Sequence, residues 1–164
     1  MTALKPWIGL ISRLTLGGVL LAAGLLKFQE LDKSQMAVRA FELLPVGFAN
    51  FMGIVLPFAE IGMGILLILG AGTRFIGLAG AVLMLAFSFG ISWAWARGLS
   101  IDCGCFGGGG PVEPGTANYL PKLLRDLGLA VMGIYLFLLP QSKFALDKFA
   151  THDTPDQKES KDEQ

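Results

Sequence analysis

The chain has 164 residues, 53% hydrophobic and 16% charged, and a mean hydropathy of +0.60, whereas an ordinary soluble domain carries roughly 25% charged residues. That apolar excess calls for lipid as solvent, and the length leaves room for one domain. A formal net charge of zero gives no long-range attraction for a polyanion, so nucleic acid is excluded as an expected partner.

Crossing the hydrocarbon layer takes a helix of about 20 mostly apolar residues. Four stretches qualify, so the expected fold is an all-α, polytopic membrane protein: a four-transmembrane-helix bundle over residues 1–140, with the lipid bilayer as its first partner. The first, Trp7 to Leu26, carries Arg13 and is followed by Lys27, which is expected to snorkel to the interface. A cleaved signal peptide is the alternative, since Lys5 precedes it and Ala22, Ala23 and Gly24 sit near its end, but the apolar run exceeds the usual h-region of about 7 to 15 residues. Phe28 to Pro45 reads as a loop.

The second stretch, Val46 to Leu69, carries Glu60 near its middle, and Gly70 to Thr73 makes a tight connection to the third. Phe75 to Ala96 contains no charged residue, which makes a soluble buried helix a poor account of it. Trp93 and Trp95 close that stretch in the position of an interfacial aromatic anchor, a reading preferred over stacking on a quinone. After the loop Gly98 to Tyr119, the fourth stretch, Leu120 to Leu139, opens with Lys122, Arg125 and Asp126 and is then uncharged. Residues 141–164 alternate Lys with Asp and Glu and read as a charged, disordered tail; His152, the single histidine, reads as an ordinary surface residue there.

Four crossings put both termini on one side. That side collects Lys5, Arg13, Arg74, Lys143, Lys148, Lys158 and Lys161, against Lys27, Lys33, Arg39, Arg97, Lys122 and Arg125 opposite. The positive-inside rule then leans slightly to cytoplasmic termini and puts the loop 98–119 outside, where thiols can be oxidised. Small residues four apart, Gly18 with Ala22, Gly77 with Ala81 and Ala86 with Gly90, are candidate helix contacts.

The chemistry concentrates in Ser100-Ile101-Asp102-Cys103-Gly104-Cys105-Phe106-Gly107 and the glycines that follow. Two cysteines cannot build a disulfide framework or a tetrahedral thiolate site. Cysteines two apart meet disulfide geometry only on a distorted backbone, which the intervening glycine tolerates, and a strained, exposed disulfide is the labile kind that exchanges with partner thiols. Two incidental thiols is the plain alternative. A soft ion such as copper(I), or half of a zinc site, is another, but no second cysteine pair exists to complete it, and no metal site is assigned.

Charges inside the bilayer are costly and count as functional candidates. Glu60 is the deepest, and Arg13 is its expected partner in a structural ion pair or a proton-transfer site. Arg125 and Asp126 are adjacent, point in different directions around a helix, and are expected to find separate partners. Arg97 or Arg125 can favour a thiolate at Cys103 or Cys105.

These residues resemble the MauE branch of the DoxX-like membrane proteins. The likeness runs from about Trp7 to Pro140 and rests on Gly24-Leu25-Leu26-Lys27, the Arg39 to Pro45 stretch, Pro57 with Glu60 and Gly64, Cys103-Gly104-Cys105-Phe106-Gly107, and Arg125-Asp126. The resemblance implies a redox-associated protein of the bacterial cytoplasmic membrane, working with a thioredoxin-like or DsbA-like partner on disulfides outside the cytoplasm, as in maturation of methylamine dehydrogenase. In plan the chain is also similar to four-helix thiol oxidases of the DsbB and vitamin K epoxide reductase type, which pass electrons to a quinone. Many of those use a second cysteine pair as an internal shuttle, and this chain has only Cys103 and Cys105.

The expected activity is thiol–disulfide exchange. A partner's thiolate attacks one sulfur of Cys103–Cys105, a mixed disulfide forms and the second cysteine resolves it. Glu60, Arg97, Arg125 and Asp126 are the supporting charges, and a quinone is the candidate acceptor. A membrane docking subunit without catalysis is the competing expectation.

Overall fold

The computed structural model describes residues 5–102, 110–113 and 118–139. Cys103, Cys105 and the tail 141–164 lie outside the described residues. In chain order the elements are α1 (Lys5–Gln29), α2 (Leu31–Ala40), α3 (Val46–Leu69), α4 (Thr73–Ala96), the strands β1 (Ile101–Asp102) and β2 (Gly110–Pro111), and α5 (Tyr119–Leu138).

At a rise of about 1.5 Å per residue, α1, α3 and α4 are each at least about 36 Å long, more than the hydrocarbon core of about 30 Å. These three are long and apolar enough to cross a bilayer. Their outer faces carry Phe51, Phe58, Phe75, Val82 and Phe89 unburied, a surface that suits lipid and would be a large apolar liability in water. The expectation of an all-α, multi-pass membrane protein therefore holds. α5 has 20 residues, with Lys122, Arg125 and Asp126 in its first half, and packs along α4.

The long helices pack as two pairs, α1 on α3 and α4 on α5, joined where α1 meets α5. Lipid tails supply no hydrophobic drive between helices, so the pairs depend on backbone proximity. In the first pair, a Cβ on Gly64 would lie 2.7 Å from the Leu21 nitrogen. In the second, a Cβ on Gly133 would lie 2.6 Å from the Gly77 carbonyl oxygen and 2.9 Å from the Ala81 Cβ. Gly77 and Ala81 thus lie at a helix contact, as their spacing suggests, whereas Gly18 has open space around it. Between the pairs, Leu16, Leu20, Leu67, Met84, Leu129 and Leu136 form the central core. The α3–α4 turn closes on Gly70, left-handed at φ 73°, whose amide donates to the Leu67 carbonyl.

Two features were not expected. The stretch 28–45, read as a loop, contains α2, ten residues with Asp32, Lys33 and Arg39 among them. Its docking follows from Pro57 inside α3. Proline has no N–H, so the carbonyl four residues earlier, on Gly53, loses its helical donor; the Ser34 hydroxyl of α2 donates to that oxygen instead, at 2.8 Å. The second surprise is the antiparallel β1–β2 pair, with Ile101 opposite Pro111 and Asp102 opposite Gly110.

Replacing Gly133 with valine forces α4 and α5 apart, and a loss of about 2 kcal/mol or more is expected, as for overpacked cores. Gly18→Ala, in open space, should stay within about 0.5 kcal/mol of the parent. Thermal unfolding in detergent distinguishes the two; equal melting of both variants would contradict this packing.

Candidate functional site

The buried stripes of the long helices end in charge. On α1, Leu16, Leu20, Ala23 and Lys27 are all buried at helical spacing, so Lys27 continues the apolar face toward the bundle. On α3 the buried face runs Gly53, Pro57, Glu60, Gly64 and Leu67. On α5 it runs Asp126, Leu129, Gly133 and Leu136. Three charges from three helices therefore turn inward together.

Lys27 Nζ donates to Glu60 Oε1 at 2.5 Å. Lys27 is 7% exposed, Glu60 0% and Asp126 1%. From the adjacent position on α5, the Arg125 side chain folds back so that Nε and Nη2 donate to Asp126 Oδ1, at 2.9 and 2.8 Å. The second carboxylate oxygens, Glu60 Oε2 and Asp126 Oδ2, are buried without a hydrogen-bond partner among the described residues. Lys27, Glu60, Arg125 and Asp126 line one cavity of about 10 Å³, with Leu20 and Phe87 in its wall. That is room for about one water. The Lys27 ammonium also sits 4.8 Å from the centre of the Phe87 ring, a cation–π contact that adds to its pairing. Two cations balance two anions, which is the condition under which buried charge is tolerated.

The second feature is the base of the cysteine segment. β1 ends on Asp102 and β2 begins on Gly110, so the pair holds both ends of the stretch containing Cys103-Gly104-Cys105. Three contacts hold this base to the bundle. The Tyr119 hydroxyl donates to the Leu99 carbonyl and accepts from the Ile101 amide at 3.1 Å. Lys122 Nζ donates to Asp102 Oδ1 at 2.6 Å. Ile101 packs with Ile91, Ala94 and Tyr119 in a satellite core, against which Phe41 rests. Trp95 stacks on Tyr119 with ring centroids 6.2 Å apart.

Several sequence expectations need correction. Glu60 pairs with Lys27, not Arg13, because Lys27 shares the stripe that faces α3; Arg13 is buried nearer the other end of α1. Lys27 does not snorkel outward, since a fixed carboxylate within reach outweighs a return to the interface. Arg125 and Asp126 do pair with each other: the rule against adjacent contacts concerns where side chains leave the helix, and the Arg chain is long enough to turn back. Arg97 joins none of these groups. It caps the C-terminal end of α4, 3.5 Å from Glu42 and half-exposed. Cys103 and Cys105 lie outside the described residues. Lys27 is the member of the cluster missed by sequence reasoning, and its spacing from Leu16, Leu20 and Ala23 was the available signal.

Removing one partner of a buried pair strands the other charge at a cost of about 3–5 kcal/mol. Glu60→Leu and Lys27→Met should each destabilise by that order, and the double variant should recover much of the loss. Additive losses in a thermal double-mutant cycle would contradict the pairing. Tyr119→Phe removes the hydroxyl that serves Leu99 and Ile101, with an expected cost of about 1–3 kcal/mol and faster amide exchange at Ile101; unchanged exchange there would argue against the hydroxyl as the anchor.

The family model described as "Methylamine utilisation protein MauE" matches residues 5–139. The "Methylamine utilization protein MauE" of Methylophilus methylotrophus is 29% identical over 138 residues, covering 82% of this chain and 70% of that protein. The protein of the same name from Methylorubrum extorquens is 35% identical over 126 residues, covering 74% of this chain and 64% of its own length. No solved structure matches significantly. The family match takes in all of the long helices that supply Lys27, Glu60, Arg125 and Asp126, and with them the hairpin on either side of the cysteines: the chain belongs to the MauE family.

Proposed function

We propose that this MauE-family membrane protein exchanges thiols and disulfides through Cys103 and Cys105 with a thioredoxin-like partner outside the cytoplasm, in a role like the methylamine utilisation for which its relatives are named. In this reading α5 is the fourth crossing of a bacterial cytoplasmic membrane, the termini are cytoplasmic and the hairpin faces out. The observation that supports it is the braced base of the cysteine segment. β1–β2 pairing, the Tyr119 hydroxyl and the Lys122–Asp102 contact hold both flanks of a glycine-rich stretch at one end of the bundle. A rigid base under a short cysteine segment presents it to a partner without the entropy of a free loop.

Exchange in the direction of partner oxidation begins when a partner thiolate attacks one sulfur of the Cys103–Cys105 disulfide. That bond breaks, a mixed disulfide forms and the other cysteine leaves as thiolate. The partner's second thiolate then displaces the attached cysteine. The partner ends as a disulfide and Cys103 and Cys105 as the reduced pair, with two electrons transferred. Arg125 is paired with Asp126 and Arg97 with Glu42, and either is a candidate cation for favouring a thiolate. Glu60 and Asp126, each with one buried oxygen that has no hydrogen-bond partner among the described residues, are suited to holding a proton or a water inside the bundle.

The test combines serine replacement with trapping. The parental chain and the Cys103→Ser/Cys105→Ser variant are each expressed with a thioredoxin-fold protein whose own resolving cysteine is serine. The parental disulfide should accumulate as a mixed disulfide with the partner's single thiol on non-reducing gels, and the double variant should form none. In intact cells, a membrane-impermeant maleimide should tag the pair after mild reduction. Absence of any adduct, with the double variant oxidising secreted thiols at the parental rate, would leave docking without catalysis as the role.

A further inference from the structure

Glu60 and Asp126 stand on helices that hardly touch: α3 packs on α1 and α5 on α4, and among the described residues α3 and α5 have no substantial packing of their own. Both carboxylates nevertheless border the same cavity of about 10 Å³. Each has given one oxygen to a cation, Glu60 Oε1 to Lys27 and Asp126 Oδ1 to Arg125. The oxygens left over, Glu60 Oε2 and Asp126 Oδ2, are buried with no hydrogen-bond partner among the described residues. Lys27 borders the cavity too; an ammonium has three N–H donors, and its contact with Glu60 Oε1 uses one.

We propose that the cavity binds a single water, which donates one hydrogen to Glu60 Oε2 and the other to Asp126 Oδ2, accepts from the Lys27 ammonium, and so joins α3 to α5. The site is independent of the cysteines and of the exchange reading above. A buried water requires room for itself and two to four polar partners. This cavity has the room of about one water, and two acceptors with one donor meet the valence of the molecule.

Other occupants conflict with the charges around the cavity. A metal or alkali cation would be a third positive charge beside Lys27 and Arg125, and an anion would face two carboxylates. A proton shared directly between the carboxyl groups would satisfy both oxygens, but it would set two cations against one anion and undo the balance that permits their burial. Cavities that stay dry are apolar ones. Water is neutral, so it serves both oxygens and leaves the balance intact. It also changes what the ion pairs connect: Lys27 holds Glu60 from α1 and Arg125 holds Asp126 from its own helix, so neither pair alone reaches from α3 to α5. The water makes them one network spanning three helices.

The full chain, isotope-labelled at its aspartate and glutamate carboxyl carbons, is reconstituted in phosphatidylcholine bilayers and studied by solid-state NMR with polarisation transferred from water protons. Glu60→Gln and Asp126→Asn identify the two signals. Transfer should reach both carbons, at the shifts of ionised carboxylates, as it reaches the exposed Glu30 and Asp32. Ala23→Val and Leu129→Phe, which enlarge two side chains of the cavity wall, should each abolish transfer to both carbons and leave Glu30 and Asp32 unchanged. Ser88→Ala, at a buried hydroxyl that does not border the cavity, should keep the transfer, as should Cys103→Ser/Cys105→Ser. Absence of transfer to both carbons in the parent would overturn the site. Transfer that survives both filling variants would do so too, since it then arrives through exchanging protons of Lys27 and Arg125. A protonated-carboxyl shift at Glu60 or Asp126 would replace the water with a directly shared proton.

Discussion

A lysine and a glutamate meeting in the low-dielectric interior set the arrangement of everything around them. Neither charge is tolerated there alone, and the 2.5 Å contact between Lys27 and Glu60 requires α1 and α3 to run almost in backbone contact. Gly24 permits it: a Cβ there would lie 2.8 Å from the Pro57 carbonyl oxygen, one turn before each charge. Small residue and ion pair are therefore one device. The glycine sets the separation that the ammonium needs, and the ion pair makes that separation worth keeping.

The same logic brings in the other helix pair. Asp126 faces inward from α5 with Arg125 folded against it, and its carboxylate lines the cavity that Lys27 and Glu60 share. Charge balance across α1, α3 and α5 thus ties the pairs together at the hairpin end, while α3 and α4 are left apart. Pro57 serves this region twice, since its carbonyl lies against Gly24 and the carbonyl it releases on Gly53 receives α2 through Ser34. The short helix in turn packs on the hairpin, with Met36 against Gly110. One end of the bundle is consequently built and braced, and it is the end that holds Asp102 and Gly110, the described residues on either side of the cysteine stretch.

Much of the site could be read in advance as residue types, less as partners. Glu60 stands out as a carboxylate deep in an apolar run, and Arg125-Asp126 as charges at the edge of another. Lys27 was discounted because lysines at helix ends commonly reach for the interface; what overrides that habit is a carboxylate on another helix, which no local pattern reveals. α2 escaped because ten polar-rich residues carry little hydropathy signal and owe their docking to a carbonyl freed on α3. The β1–β2 pair escaped because two-residue strands have no periodicity.

The sequence by itself determined that the chain lives in a bilayer, where its long helices begin and end to within a few residues, and which residues bear charge or sulfur. Those follow from run length and hydropathy, which are local and additive. Only the tertiary structure decided that Glu60 answers to Lys27, that Arg125 turns back on Asp126, that Arg97 stands apart, and that both carboxylates border one small cavity. Such pairings depend on which helix faces which, and in lipid that choice is made by close-packed glycines and by the need of each buried charge for its opposite.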